Sequence, residues 1–391
     1  MNTERDPADG SNAIRAFAIS IAEQDILDLR NRLRTTRWPD ASPGAPWSEG
    51  TDLSYLRDLV DYWTNAYDWR SRESRLNRLP QFVTTIEANV IHFVHLRSGT
   101  KNAVPLIMTH GWPGSFAEFE AIVPMLTTAQ GNGPVFDVVL PSIPGFGFSS
   151  KPWRVGMSQR RTAELWLELM TRLGYPRFGL QAGDFGAGIS TWIARLAPER
   201  VIGLHLNFLP GSYVPQVDAA TSPRTAAEIA FGDAATQWRE TEGAYGRIHG
   251  TRPQSLAYAL TDSPAGLAGW IVEKFRAWSD NEGRVESALS RDDMLTELSI
   301  YWFTRTIGSS MRFYLESRAS PLRLEAGERI QPPLGFASFP RETVAPPREW
   351  IERGFNLKRF TEMTAGGHFA AWEQPAALAA DVRAFFRMIE A

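Results

Sequence analysis

Leu180-Gln181-Ala182-Gly183-Asp184-Phe185-Gly186-Ala187-Gly188 decides how the rest of this 391-residue chain is read. Ala182 and Gly186 stand two residues to either side of Asp184, a small–x–nucleophile–x–small pattern. Small side chains there let a strand turn sharply into a helix while the middle residue is pushed outward. Upstream, Tyr175-Pro176-Arg177-Phe178-Gly179-Leu180-Gln181 is short, largely apolar and Gly-punctuated, as a buried parallel strand would be. Downstream, Ile189, Trp192, Ile193 and Leu196 recur at helical spacing until Pro198 stops the pattern. The residue at the apex sets the chemistry. A serine attacks carbonyls and needs a base to become nucleophilic. A carboxylate is already ionised at pH 7 and suits displacement at a saturated carbon bearing a strained or good leaving group. The same residues also fit an aspartate that merely caps a helix, so the choice rests on what surrounds them.

Val104-Pro105-Leu106-Ile107-Met108-Thr109 reads as a second buried strand and runs into His110-Gly111-Trp112-Pro113-Gly114. The two stretches together have the layout of an α/β-hydrolase. In that layout the loop after this strand supplies one oxyanion-hole amide and the residue after the nucleophile supplies the other. Here those amides belong to Trp112 and Phe185. Aimed at one point, they would stabilise the oxyanion formed when water attacks an Asp184 ester. The His110 ring reads as structural, orienting its loop.

A third stretch lies near the C-terminus: Ala365-Gly366-Gly367-His368-Phe369-Ala370-Ala371-Trp372-Glu373-Gln374-Pro375. It puts a histidine on a loop ahead of a helical run (Leu378, Val382, Phe385, Phe386), from which it can reach across to Asp184 as a base. Of the six histidines, His92 and His95 lie on a strand-like stretch and read as sheet residues, and His205 and His249 lack a supporting motif. The acid is expected on the loop after the penultimate strand, read at Pro333 to Phe339, which places it at Glu342. A carboxylate there holds the His368 tautomer and stabilises the imidazolium. Glu328, Glu349 and Glu352 are the rivals, the last two in a charged run that looks like a solvated helix face. Nucleophile, acid, histidine is the chain order of the α/β-hydrolases.

These motifs resemble the epoxide hydrolases of the microsomal type, including juvenile hormone epoxide hydrolases and their soluble bacterial relatives. The resemblance runs from about residue 14 to the end. It includes the N-terminal blocks Ile26 to Leu33, Thr36-Arg37-Trp38-Pro39-Asp40, Tyr55 to Trp63 and Leu76 to Phe82, and the later blocks Pro141 to Ser149, Asp262 to Ala268 and Tyr301 to Ile307. It implies an epoxide opened by Asp184 while two cap tyrosines hydrogen-bond the ring oxygen and donate its proton. By position these match Tyr245 and Tyr314, with Tyr258 and Tyr301 as nearby alternatives. One departure stands out: Phe185 follows the nucleophile where the family often has Trp, which leaves the oxyanion amide intact but changes the pocket wall. The resemblance implies an α/β fold with a mostly parallel central sheet flanked by helices. We expect a helical N-terminal segment over 1–85, a first part of the core over 86–215, a helical cap over 216–318 and the rest of the core over 319–391.

Composition fits an enzyme of this kind. A net charge of −3 with mixed signs argues against nucleic-acid binding, and the absence of cysteine excludes disulfide and thiolate-metal chemistry. Gly145-Phe146-Gly147 has no third glycine at 150, and no phosphate loop or His-x-x-x-His pair is present, so neither cofactor nor metal is expected. Residues 1–20 carry Glu4, Asp6 and Asp9 and no long apolar core, from which we expect no signal or membrane anchor and a cytoplasmic protein. Fourteen Trp and 22 Phe favour a small apolar substrate over a sugar or phosphate. Detoxification and secondary metabolism fit equally, and the oligomeric state, homo-oligomers included, is left open. The rival functions are a haloalkane dehalogenase, which would need indole N–H donors near the nucleophile that Phe185 does not supply, and a binding protein that keeps the fold without the chemistry.

Overall fold

The computed structural model describes residues 13–131, 133–216 and 222–390. Nine strands form one sheet: β1 (Arg15–Phe17), β2 (Gln81–Ile86), β3 (Asn89–Leu96), β4 (Val104–Thr109), β5 (Phe136–Pro141), β6 (Phe178–Ala182), β7 (Val201–Leu206), β8 (Ile330–Ser338) and β9 (Phe355–Glu362). Their order is β1-β2-β3-β5-β4-β6-β7-β8-β9. The β1–β2, β2–β3 and β3–β5 pairs are antiparallel, and every pair from β5 to β9 is parallel. The continuous apolar runs Leu106-Ile107-Met108 and Val138-Val139-Leu140 are fully buried, as strands covered by helices on both faces must be. This is the α/β-hydrolase fold.

The sheet begins earlier than the sequence pattern suggests, since β1 and most of β2 precede residue 86. β1 is too short for any periodicity to register. The β2–β3 hairpin turns through Glu87 and Ala88, both at positive φ (48° and 64°). Such a two-residue turn usually carries Asn or Gly. Here Asn89 supports it by donating from Nδ2 to the carbonyls of Ile86 (3.2 Å) and Glu87 (3.1 Å).

Between β7 and β8 the chain leaves the core and, among the described residues, forms six α-helices, the first at Ala226–Thr241 and the last at Ile307–Ala319. The N-terminal helices Glu23–Arg34, Leu53–Asn65 and Trp69–Leu76 lie against this cap. Trp63 Nε1 donates to Ser299 Oγ (3.1 Å), Thr51 Oγ1 donates to the Gly269 carbonyl (2.6 Å), and Arg32 pairs with Asp262 (3.0 Å). Many helix starts are set by local chemistry: Asp52, Asp68, Ser158, Ser263 and Ser290 each cap the amide three residues on. Among the described residues no helix is long and apolar enough to cross a membrane. The expectation resting on Glu4, Asp6 and Asp9 lies outside the described residues.

Candidate active site

In an open α/β sheet a ligand crevice lies beyond the carboxyl ends of the strands where the strand order reverses. β4 lies between β5 and β6, so the ends of β4 and β6 meet at such a point. β4 delivers His110 to Gly114 and β6 delivers Asp184. Asp184 opens the helix Asp184–Leu196 at a φ of 41°, a left-handed conformation that Asp tolerates better than most residues. Two glycines permit the close approach that this turn requires. A Cβ on Gly186 would stand 1.9 Å from the Thr109 carbonyl oxygen, so only glycine lets the helix cross β4 this closely. A Cβ on Gly111 would fall 2.2 Å from Asp184 Oδ1.

The two carboxylate oxygens of Asp184 occupy different environments. Oδ1 accepts a hydrogen bond from the Trp112 backbone N–H (2.8 Å). Oδ2 faces His368 Nε2 at 3.5 Å. The other ring nitrogen, Nδ1, lies 2.8 Å from Glu342 Oε1. Glu342 Oε1 also accepts from the Thr343 N–H (2.7 Å) and hydroxyl (3.1 Å), which fixes the carboxylate in place. Burial alone would lower the His368 pKa. The charge of Glu342 and the hydrogen bonds and charge supplied by Asp184 and Glu342 outweigh it, leaving the imidazole well above its ordinary value. The expected pair of oxyanion amides is only half engaged. Among the described residues no acceptor lies within reach of the Phe185 N–H, which as the second residue of its helix has no intrahelical partner and stays available.

Tyr245, on the short helix Ala244–His249, and Tyr314, on Ile307–Ala319, enter from the cap. Tyr245 stacks on the Trp112 ring (centroids 5.3 Å, 12°), and Tyr314 meets the same ring edge-on (5.8 Å, 83°). The two phenol rings are 5.9 Å apart. Burial first, and the Asp184 charge or the neighbouring phenol after it, raise both phenol pKa values, so both hydroxyls stay protonated. The Phe185 ring packs on Tyr314 (4.6 Å) and Phe313 (4.9 Å), forming part of the pocket wall. Tyr258 is well exposed, and Tyr301 instead donates to the Gly114 carbonyl (3.1 Å) from below the loop.

The rival residues are occupied elsewhere. Glu328 pairs with Arg195 (2.7 Å), Glu349 accepts from Thr225 (2.9 Å) and Glu352 pairs with Arg348 (2.7 Å). His110 is buried, accepts from the Ile143 N–H (3.2 Å) and contacts the Gly111 carbonyl (3.0 Å), and burial lowers its pKa to about 4. His92 and His95 lie in β3, and His205 pairs with Asp381 (3.0 Å).

Three residues that no sequence motif marked also shape the site. The Glu373 carboxylate accepts the backbone N–H groups of Gly367 (2.9 Å), Phe369 (2.9 Å) and Asp280 (2.7 Å), tying the His368 loop to the cap. His249 packs against Trp112 (4.8 Å) and Tyr314 (4.9 Å) and accepts from Trp270 Nε1 (3.1 Å). Lys274 Nζ sits 4.7 Å over the Tyr245 ring. A glutamate one turn into a helix that follows a histidine loop is a weak sequence signal for such a staple, and the cap residues carry none.

Comparison with known proteins agrees with this geometry. Residues 14–119 match the epoxide hydrolase N terminus, and residues 104–239 match the alpha/beta hydrolase fold. A Stigmatella aurantiaca protein provisionally named an epoxide hydrolase is 43% identical, over 97% of this chain and 86% of its own length. Epoxide hydrolase 1 of Sus scrofa is 36% identical, over 99% of this chain and 91% of its own. The crystal structure of juvenile hormone epoxide hydrolase from Bombyx mori superposes with a TM-score of 0.85 at 29% identity, covering 97% of this chain and 95% of that one. Sequence, fold and relatives converge, and the chain belongs to the epoxide hydrolase family of α/β-hydrolase enzymes.

Proposed function

We propose that this protein hydrolyses small apolar epoxides to vicinal diols in two covalent steps. In the first, Asp184 Oδ2 attacks a ring carbon and the carbon–oxygen bond breaks. The electron pair stays on the departing oxygen, which Tyr245 and Tyr314 hydrogen-bond and protonate. The observation that carries this reading is the division of labour within the Asp184 carboxylate. Oδ1 is already held by the Trp112 N–H, so an ester formed at Oδ2 has its carbonyl oxygen in the oxyanion hole from the start. In the second step His368 takes a proton from water, whose oxygen attacks Cγ of the ester. The Trp112 and Phe185 amides hold the oxyanion, and its collapse breaks the Cγ–Oδ2 bond. The departing alkoxide takes the proton back from His368 to complete the diol, and the proton left on the new Asp184 carboxyl returns to the phenolate, restoring the resting site.

The charge balance suits that sequence. In the resting state His368 faces two carboxylates, which favour the imidazolium. Alkylation removes the Asp184 charge, and with it part of that support, so the imidazole pKa falls when a base is needed. Glu342 remains to orient the ring.

A second reading has one observation in its favour. The indole N–H groups of Trp112 and Trp278, whose rings pack on Tyr245 and His368, have no acceptor among the described residues. Such donors would suit a departing halide. The paired phenols favour an epoxide. Incubation with styrene oxide and with 1-bromohexane separates the two: diol without bromide release is expected, and bromide release without diol would replace the proposal. Asp184→Asn is expected to abolish diol formation while leaving the protein folded.

A further inference from the structure

Glu118 is a carboxyl group that the two-step chemistry leaves without a task. It lies in the 3₁₀ turn Phe116–Phe119, directly after the oxyanion loop. That turn is anchored from below. Ser115 Oγ accepts from the Ala117 N–H (3.2 Å) and donates to the buried Glu297 (2.7 Å), and the Glu118 N–H bonds the Ser115 carbonyl (3.2 Å). The Glu118 carboxyl folds back over Gly114, where a Cβ would stand 2.3 Å from Oε2. Among the described residues it makes no side-chain hydrogen bond, although it is largely enclosed.

What it faces is a cavity of about 30 Å³ whose lining includes Glu118, Asp184, His368 and Gly111. A cavity needs roughly 10–15 Å³ of such space, and two to four polar partners, to hold a water molecule. This one meets both conditions. It also lies where the hydrolytic water must be, within reach of the His368 imidazole and the Asp184 carboxylate.

We propose that Glu118 is a positioning residue for ester hydrolysis, its carboxyl holding the water that His368 deprotonates. This assignment rests on the two-step reading above. One O–H of the water gives its proton to His368 Nε2, and the oxygen attacks Cγ of the Asp184 ester. The second O–H stays on the water and donates to the Glu118 carbonyl oxygen, so Glu118 neither gains nor loses a proton. A neutral carboxyl suits that task, because a carboxylate would compete with His368 for the proton. The surroundings favour the neutral form. Burial and then the charge of Glu297 push the Glu118 pKa well above the carboxylate range, Asp184 adds to this, and His368 opposes it. Glu297 is itself pushed up to about 8 by burial, and Tyr301 stays protonated beside both.

The test separates the two half-reactions of the full-length enzyme. Single-turnover mixing with styrene oxide, followed by intrinsic tryptophan fluorescence, reads ester formation and then ester breakdown. Glu118→Gln keeps a carbonyl oxygen in place, so both rates should stay within a few-fold of the parent. Glu118→Ala should leave ester formation unchanged and slow ester breakdown by about 10–100-fold, the scale expected when a reacting group loses its positioning by about an ångström. Breakdown at the parental rate in Glu118→Ala would overturn the assignment. So would a Glu118→Gln variant that folds yet slows as much as Glu118→Ala, or loss of both steps in step with thermal stability. His368→Gln serves as the control. If that variant accumulates no ester, the two-step reading fails, independently of Glu118.

Discussion

Replacing Glu342 with Gln removes a charge while keeping a shape, and the site allows the cost to be reasoned out. Glu342 Oε1 accepts three hydrogen bonds, from the Thr343 N–H, the Thr343 hydroxyl and His368 Nδ1. A Gln amide oxygen at that position can accept all three, so the Thr343 N–H holds the amide in the orientation that preserves the Nδ1–H tautomer. The amide nitrogen then falls at Oε2, which is buried without a partner among the described residues. Leaving that donor unsatisfied should cost about 1–3 kcal/mol of stability. The imidazolium formed during ester hydrolysis keeps a neutral hydrogen bond in place of a charge-assisted one, a difference of roughly 1–2 kcal/mol. That corresponds to a loss of about 5–30-fold in the hydrolytic step. A variant that inverted the tautomer would lose far more, about 10⁴-fold in serine-protease triads. Ester formation, which needs no base, should be unaffected. The charge of Glu342 is also the foremost influence raising the His368 pKa. Removing it lowers that pKa, so the variant should reach its plateau of ester hydrolysis at lower pH than the parent. Rapid-quench measurement of the covalent intermediate across pH reads each of these effects. A 10⁴-fold loss, or an equal fall in both steps, would refute the reasoning about tautomer and charge.

Three further outcomes follow from the structure. Tyr245→Phe and Tyr314→Phe should each slow ester formation by about 10–100-fold, and the double variant should abolish it, because either phenol alone can support the departing oxygen; stopped-flow fluorescence measures this, and a double variant that still opens the ring would refute it. Gly186→Ala drives a methyl group into the Thr109 carbonyl and should cost upwards of about 3 kcal/mol, read as a lowered unfolding midpoint, and an unchanged midpoint would mean that β4 and the helix can separate. Asp381 is buried; that alone would raise its pKa, but His205, Thr361 and Arg359 together hold it well below the carboxylate range. A carboxylate pKa depressed by folding contributes stability above its unfolded value of about 3.9, lost as pH falls through the folded one. Asp381→Asn should therefore lower stability at pH 7 by about 3–5 kcal/mol and flatten the acid limb of the urea-denaturation profile below about pH 4.

The parts of the site legible in the sequence were those fixed by local geometry or by chain order. Ala182 and Gly186 announce a turn, and at Gly186 even one added Cβ would stand 1.9 Å from the Thr109 carbonyl oxygen. Glu342 could be chosen over Glu349 and Glu352 because those two fall on a solvated helix, and they do lie on or at the end of Arg348–Glu352. Tyr245 and Tyr314 are different. Their positions matched by resemblance, and only the folded cap shows that both rings pack against Trp112. Glu118 and Glu373 were illegible because their significance comes from tertiary contacts: one faces a cavity, the other gathers amides from two separate loops. The β2–β3 hairpin was missed for a local reason, since Glu87-Ala88 carries none of the usual turn residues.

The measurement that tests the covalent route most directly is a single turnover of styrene oxide by excess enzyme in oxygen-18 water. The proposed mechanism transfers an Asp184 oxygen to the substrate and replaces it from solvent. The first diol should therefore carry almost no label, while the peptide containing Asp184 becomes labelled. Fully labelled diol in the first turnover, with an unlabelled Asp184 peptide, would mean that water opens the ring directly and that Asp184 is not the nucleophile.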